Sequence, residues 1–358
     1  MASESSRSPS SRKPTSETRE GTRRRIWEGA EVLEVVQHGI EATVQDLYGR
    51  PGYYSQGIPP SGAQDGTSLG LANLLVGNDK NEAAIEITLL GPQIRFRDEH
   101  TIGLTGGDLS PKLNGSPATM WESFAVRKDD LLTFGRIEKG CRAYLAVAGG
   151  IDVPEVLGSK ATYARGEIGG HEGRPLQKGD VLATGKPKAA AEDLIGRRVK
   201  PDRIPRYTNR WEQRIVVGIE SYVYTDTGIK TFLTADWQVS SKIDRVGYRY
   251  TGPQLECVKR TPPFGAGSDP TNVVDSGYPV GSVHTTGPGV EPILLPNDAV
   301  SGGGFATIGT VITVDLDRVG QSKTGDVTHF KSVSVEEGYR AWEERERLLT
   351  ESSIEQGR

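Results

Sequence analysis

Cysteine is nearly absent: Cys141 and Cys257 are the only two in 358 residues, and neither has a CxxC companion. That excludes a disulfide framework or a zinc knuckle, and a reducing cytoplasm is the expected compartment. No run approaches the roughly 18 apolar residues of a membrane span, and the N-terminus lacks the apolar segment of a secretory signal, so no membrane attachment is expected. The five histidines are scattered, and His171-Glu172 belongs to no HExxH pair. No metal site is expected from them. An excess of one charge is missing too, for the formal net charge is only −4. Such a balance offers no basic field to a nucleic acid. Familiar catalytic loops are also absent: there is no GxxxxGK[ST], no GxGxxG opening a helix, and Ser61 lies outside any GxSxG elbow.

What the chain has instead is 45 glycines and 21 prolines punctuating short Val/Ile/Thr/Tyr-rich segments, the pattern of a mainly β protein with many turns. Residues 1–27 are basic and have no apolar periodicity, so a disordered tail is expected. A first β domain spans 28–188, a charged and proline-punctuated linker 189–210, and a second β domain 211–333. A C-terminal helix and tail fill 334–358, opened by Ser334 and Glu337 in capping-box register. Tyr339, Trp342 and Leu349 form a narrow stripe expected to dock on the protein's own surface. In the first half, GTSLGLANLLVGN is the clearest helix, with Asp65 or Thr67 as its cap and Gly77 at its end. A faint repeat supports two related domains: EITLLGPQI and YRYTGPQL both end a strand at Gly-Pro-Gln, and LQKGDV precedes SKTGDV in the same order.

Three stretches resist a purely structural explanation. The loop TVQDLYGRPGYYSQGIPPSGAQD carries Asp46, Arg50, Gln64 and Asp65. Arg50 can present a fork of donors to a carboxylate or carbonyl, and Asp65 can accept from an amide NH₂. The plainer alternative is that Arg50 pairs with Asp46 and Asp65 caps the helix. The segment DWQVSSKIDRVGYRYTGPQ gathers Lys242, Arg245 and Arg249, which suit a carboxylate or phosphate at a barrel mouth, or are simply solvated. The third runs to LLPNDAVSGGGFATIG. There Gly302, Gly303 and Gly304 allow close backbone approach and an oxyanion-holding set of amides, Asp298 can orient or deprotonate a substrate N–H, and His284 can exchange a proton. An ordinary glycine-rich turn is the alternative.

These motifs, with LANLLVGN, AYLAVAGGID, EGRPLQKGD and VGYRYTGP in one order, resemble the allophanate hydrolase subunit 2 or biotin-dependent carboxyltransferase family. That family takes in the carboxyltransferase region of urea carboxylase and the C-type subunit of 5-oxoprolinase. The resemblance covers about 32–330. It implies two cyclophilin-like β-barrel domains, few short helices, and a ligand site between the domains, with Arg50 and Asp65 facing the Asp298 loop. Family members often carry Gln where this chain has His284, and Tyr where it has Phe305.

The resemblance also implies chemistry. Carboxyl transfer from carboxybiotin to the nitrogen of urea or another small amide would use Asp298 at the substrate nitrogen. Arg245 or Arg249 and the Gly302–Gly304 amides would hold the anions, and Arg50 and Asp65 would position the substrate. With no ATP-grasp region and no biotinylation motif in the sequence, biotin is expected on a partner and ATP use elsewhere in a hetero-oligomer. The expected partners are subunit 1 of the same family and a biotin carboxylase/carrier protein or a third hydrolase subunit. Two rivals remain: the C-type subunit of an ATP-dependent 5-oxoprolinase or other lactam hydrolase, and a non-catalytic regulatory module.

Overall fold

The computed structural model describes residues 30–287 and 289–357. The tail expected over 1–27 lies outside the described residues.

The chain is mainly β, as its turn-rich pattern predicts. Its first half, completed by a C-terminal strand, forms two seven-stranded sheets. One runs in the order Ile151–Asp152, Val181–Thr184, Ala30–Gln37, Gln93–Phe96, Leu131–Thr133, Lys112–Leu113, Ser116–Pro117. The other runs Glu41–Gln45, Ala84–Thr88, Lys139–Val147, His100–Asp108, Glu122–Val126, Arg197–Val199, Ile354–Gln356. Both sheets contribute to a single apolar core that includes Leu33, Val44, Ile87, Phe96, Leu104 and Leu145. The second half closes into a barrel of seven strands, Arg210–Val217, Thr307–Val311, Ser282–Thr286, Glu291–Leu294, Tyr248–Thr251, Trp237–Ile243 and Val327–Ser332. A parallel pairing of Arg210–Val217 with Val327–Ser332 completes the ring. Closure removes the exposed edges that an open sheet of this length would carry. A two-stranded ribbon, Asn272–Gly277 with Gly302–Phe305, lies beside it.

Burial follows the layers. Arg210–Val217 alternates buried and open positions, since only one face meets the barrel core. Lys139–Val147 is buried at all positions but its first, because helix Gly66–Leu75 covers the face turned away from the first core. That helix is buried all round. Asp65 accepts its Ser68 amide at 2.9 Å, and Gly77 takes the left-handed φ of 70° just beyond its end.

Two expectations need correction. The stretch 189–210 is not merely a linker: Arg197–Val199 pairs with both Glu122–Val126 and Ile354–Gln356. The C-terminal helix, Val335–Leu348, has the expected capping box. Its docked face, however, is Ala341 and, just beyond its end, Leu349; Tyr339 and Trp342 turn outward. Leu349 fills the space left by Gly70, where an added Cβ would lie 2.8 Å from it. Among the described residues no helix is long and apolar enough to cross a membrane.

Candidate functional site between the domains

The turn Asp244–Gly247 joins two barrel strands. The Asp244 carboxylate accepts the amides of Val246 (2.8 Å) and Gly247 (2.9 Å), an Asx-type lock that points Arg245 out of the barrel. Arg245 enters the first domain, where its Nη1 donates to Glu86 at 2.6 Å and its Nη2 to the Gly62 carbonyl at 2.7 Å. Its Nε donates to Asp298 at 2.7 Å. Burial alone would depress this guanidinium, but Asp298 and Glu86 outweigh it and hold it firmly charged. Glu86 also accepts Tyr144 Oη and the Gln64 amide, each at 2.8 Å, and lies 3.5 Å from Arg142. Arg142 in turn donates to Tyr248 Oη at 2.6 Å and to the Gly320 carbonyl. Two carboxylates and two guanidiniums thus balance inside the domain interface. At its margin, burial raises the Glu41 carboxyl, with Arg245 and Arg142 opposing.

The opening loop forms a wall against the Asp298 loop, as expected. Ser61 donates its amide to Asn297 O at 3.0 Å, Asn297 Nδ2 donates to Ala63 O at 2.8 Å, and Tyr54 Oη donates to Val300 O at 3.3 Å. Arg50 is buried and donates to the Ala161 carbonyl, while its Nε and Nη1 find no partner in the protein. Burial lowers its affinity for its proton. The suggested pairing with Asp46 is not made, because Asp46 is engaged by the Gly49 and Lys160 amides and the Ser159 hydroxyl. The Gln64 side-chain amide is buried and unpartnered. Asp65 does not face the Asp298 loop: its cap, the Ser68 hydroxyl and Gln321 Nε2 at 2.8 Å turn it the other way.

The remaining candidates line a cavity of about 570 Å³ at the barrel wall. Lys242, Arg249, His284 and Gly302–Gly304 all contribute, and Arg165 from the first domain closes one side. Neither Arg245 nor Asp298 lines it. Lys242 is exposed, and Arg249 donates to Glu291 at 2.6 Å. The His284 ring sits between Tyr278 and Phe305, with centroids at 5.2 and 5.3 Å. Tyr278 Oη donates to Phe305 O and accepts Phe305 N, which fixes that stack. His284 Nδ1 has no partner in the protein. Burial, reinforced by the Arg249 charge, pushes its pKa down to about 4. At neutral pH the ring is therefore uncharged.

The three glycines are not an amide nest. They form an extended strand paired with Asn272–Gly277, and none has a positive φ. Their lack of side chains serves close approach instead: a Cβ on Gly302 would lie 2.9 Å from the Ser276 carbonyl, and one on Gly303 would lie 3.1 Å from the Tyr278 ring. Sequence reasoning missed Glu86, Arg142, Tyr144 and Gln321, which sit in apolar runs or an ordinary helix and gain their roles only across the interface. Arg165 was missed for the same reason, and Tyr278 because its hydrogen-bond partner Phe305 is distant in sequence within its own half.

This architecture, a closed barrel joined through a buried charge network to a two-sheet domain, is that of a carboxyltransferase unit. The chain belongs to the family described as carboxyltransferase domain, subdomain A and B, which matches residues 56–332. It is 38% identical over 311 residues to urea amidolyase of Lachancea kluyveri, covering 84% of this chain and 17% of that protein. It is 35% identical over 320 residues to the 5-oxoprolinase C-type subunit of Escherichia coli, covering 89% of this chain and 96% of that one. Among solved structures, the Kluyveromyces lactis urea carboxylase superposes with a TM-score of 0.84 at 32% identity, covering 93% of this chain and 31% of that one. The chain thus spans about a sixth of the amidolyase it resembles.

Proposed function

We propose that this chain is the carboxyltransferase unit that moves a carboxyl group from carboxybiotin, carried by a partner, to the nitrogen of urea or a related amide. The observation that carries this reading is one cavity that brings the uncharged, ring-stacked His284 together with the cations Lys242 and Arg249. The cavity's groups fit the bound group: cations for a carboxylate, and the rings of Tyr278 and Phe305 for a planar ureido group. Carboxybiotin supplies the activated carboxyl group and takes up the proton that the substrate nitrogen loses, so atoms and charge balance.

The chain's own residues then divide the work. Lys242 and Arg249 hold the carboxylate by charge-assisted hydrogen bonds. The His284 ring, at the cavity wall, orients the substrate nitrogen; with a pKa pushed down to about 4 it positions better than it deprotonates. Arg245 and Asp298 act behind the cavity, fixing the loop that leads into the glycine ribbon. The chain is reconstituted with subunit 1 of its family and a biotin carboxylase/carrier protein, which spends the ATP. Substrate consumption should then require bicarbonate and stop on adding avidin, and His284→Ala should lower kcat/KM by about 10²-fold. Turnover indifferent to both bicarbonate and avidin overturns the reading.

One observation favours a second reading. The match to the 5-oxoprolinase C-type subunit extends over 96% of that protein, so a stand-alone subunit of an ATP-dependent lactam hydrolase has the same overall extent. Phosphate release from ATP that depends on 5-oxoproline in the reconstituted mixture selects it; the absence of such release excludes it.

A further inference from the structure

A second cavity, of about 810 Å³, shares no lining residue with the barrel cavity. Its walls come from four parts of the chain: the 202–207 segment between the halves, the barrel strand bearing Trp211 and Arg214, helix Leu316–Gln321, and the C-terminal helix. Its floor is the junction of Asp65, Gln321 and Tyr207.

Acids and arginines both line this space, but they are not equally available. Asp65 is consumed by its helix cap. Asp317 accepts the Gly66 amide at 2.8 Å and the Thr67 hydroxyl at 2.5 Å, and Asp315 is gripped by Arg214 through both oxygens. The guanidiniums are looser. Arg206 is exposed and, among the described residues, makes no ion pair. Arg318 donates to the Glu212 carbonyl at 2.8 Å and reaches Asp315 at 3.4 Å, with 43% of its side chain open. Deepest is Arg345, nine-tenths buried, with its nearest carboxylates at 3.9 and 3.7 Å and an Nε that has no partner in the protein. A buried guanidinium whose terminal nitrogens meet carboxylates only at such distances is costly unless a further acceptor is supplied.

We infer that this cavity binds a small polyanion, a molecule with two or more carboxylate or phosphate groups, bridging Arg206 on the inter-domain segment to Arg318 and Arg345 on the C-terminal elements. Charges arranged on opposing walls select a ligand with separated anionic groups over a single anion. Because Asp65 and Thr67 of the first half also line the cavity, the ligand sits where the two halves meet. The inference is independent of the chemistry assigned to the barrel cavity.

Calorimetric titration of the full chain with inorganic pyrophosphate, and in parallel with citrate, tests it and separates the phosphate from the carboxylate source. Saturable one-site binding in either arm is expected, weakening as ionic strength rises. Arg206→Ala and Arg318→Ala, both at open positions that leave the fold intact, should each weaken it about tenfold. Glu344→Gln, which removes an exposed acid from the same wall, should tighten it severalfold, an effect that damage to the fold would not produce. No saturable heat with either probe, or affinity indifferent to the two arginine substitutions, overturns the inference.

Discussion

Arg245 carries its charge from one domain into the other, pairing with Glu86 there and with Asp298 of its own half, so its removal strands both carboxylates in the interface. Breaking such a buried arrangement on one side costs about 3–5 kcal/mol, whereas removing both partners restores much of the loss. Arg245→Ala should lower stability in guanidinium chloride by that amount, and the added Asp298→Asn should recover part of it. A loss under about 1 kcal/mol would mean that water already reaches these groups. His284 acts through pH. Its pKa of about 4 lies below the ordinary 6.5, so the folded state binds fewer protons than the unfolded one between those values. Its contribution is intact above about pH 6.5 and is lost as pH falls toward 4, on the order of 3 kcal/mol. His284→Gln should therefore flatten the acid side of the stability profile measured by thermal melting, relative to the parent chain.

At the scale of elements, local signals explain what was legible. The helix Gly66–Leu75 announces itself through Asp65 and Gly77, and the C-terminal helix through Ser334 and Glu337. The second pair makes a measurable claim: the Ser334 hydroxyl accepts the Glu337 amide at 3.2 Å, and the Glu337 carboxylate accepts the Ser334 amide at 2.7 Å. Ser334→Ala should cost about 1 kcal/mol, read from the midpoint of thermal unfolding. Elements formed by distant partners stay hidden. Gly302–Phe305 looks like a loop because its partner strand, Asn272–Gly277, is remote in sequence and equally glycine-tolerant. Glu86 looks like a stray charge in an apolar strand, because nothing near it in sequence discloses that Arg245 arrives from the second domain. The site was legible where its residues line one cavity, as His284 and Arg249 do. It was misjudged where a carboxylate satisfies its own backbone, as Asp65 does.

At the scale of the whole molecule, the chain passes from the first domain to the barrel through the 200–210 segment and returns through the C-terminal helix. It ends with Ile354–Gln356 paired to Arg197–Val199 in the first domain's sheet. A protease site engineered at 205–206 should thus yield two fragments that still co-elute on gel filtration, held by that strand and by the Arg245 network. Further removal of 351–358 should weaken the association; fragments that separate with the strand intact would show that the clasp is too weak to matter.

A body tied to another at one point can swivel freely, but one tied at two points can turn only about the line that joins them. The going and returning crossings of this chain supply two such points. Relative movement that preserves both is therefore an opening about one axis, and Arg245 leaving Glu86 is the event that would release it. The cavity that receives Arg165 from one half and Lys242 from the other then widens or narrows along a single coordinate.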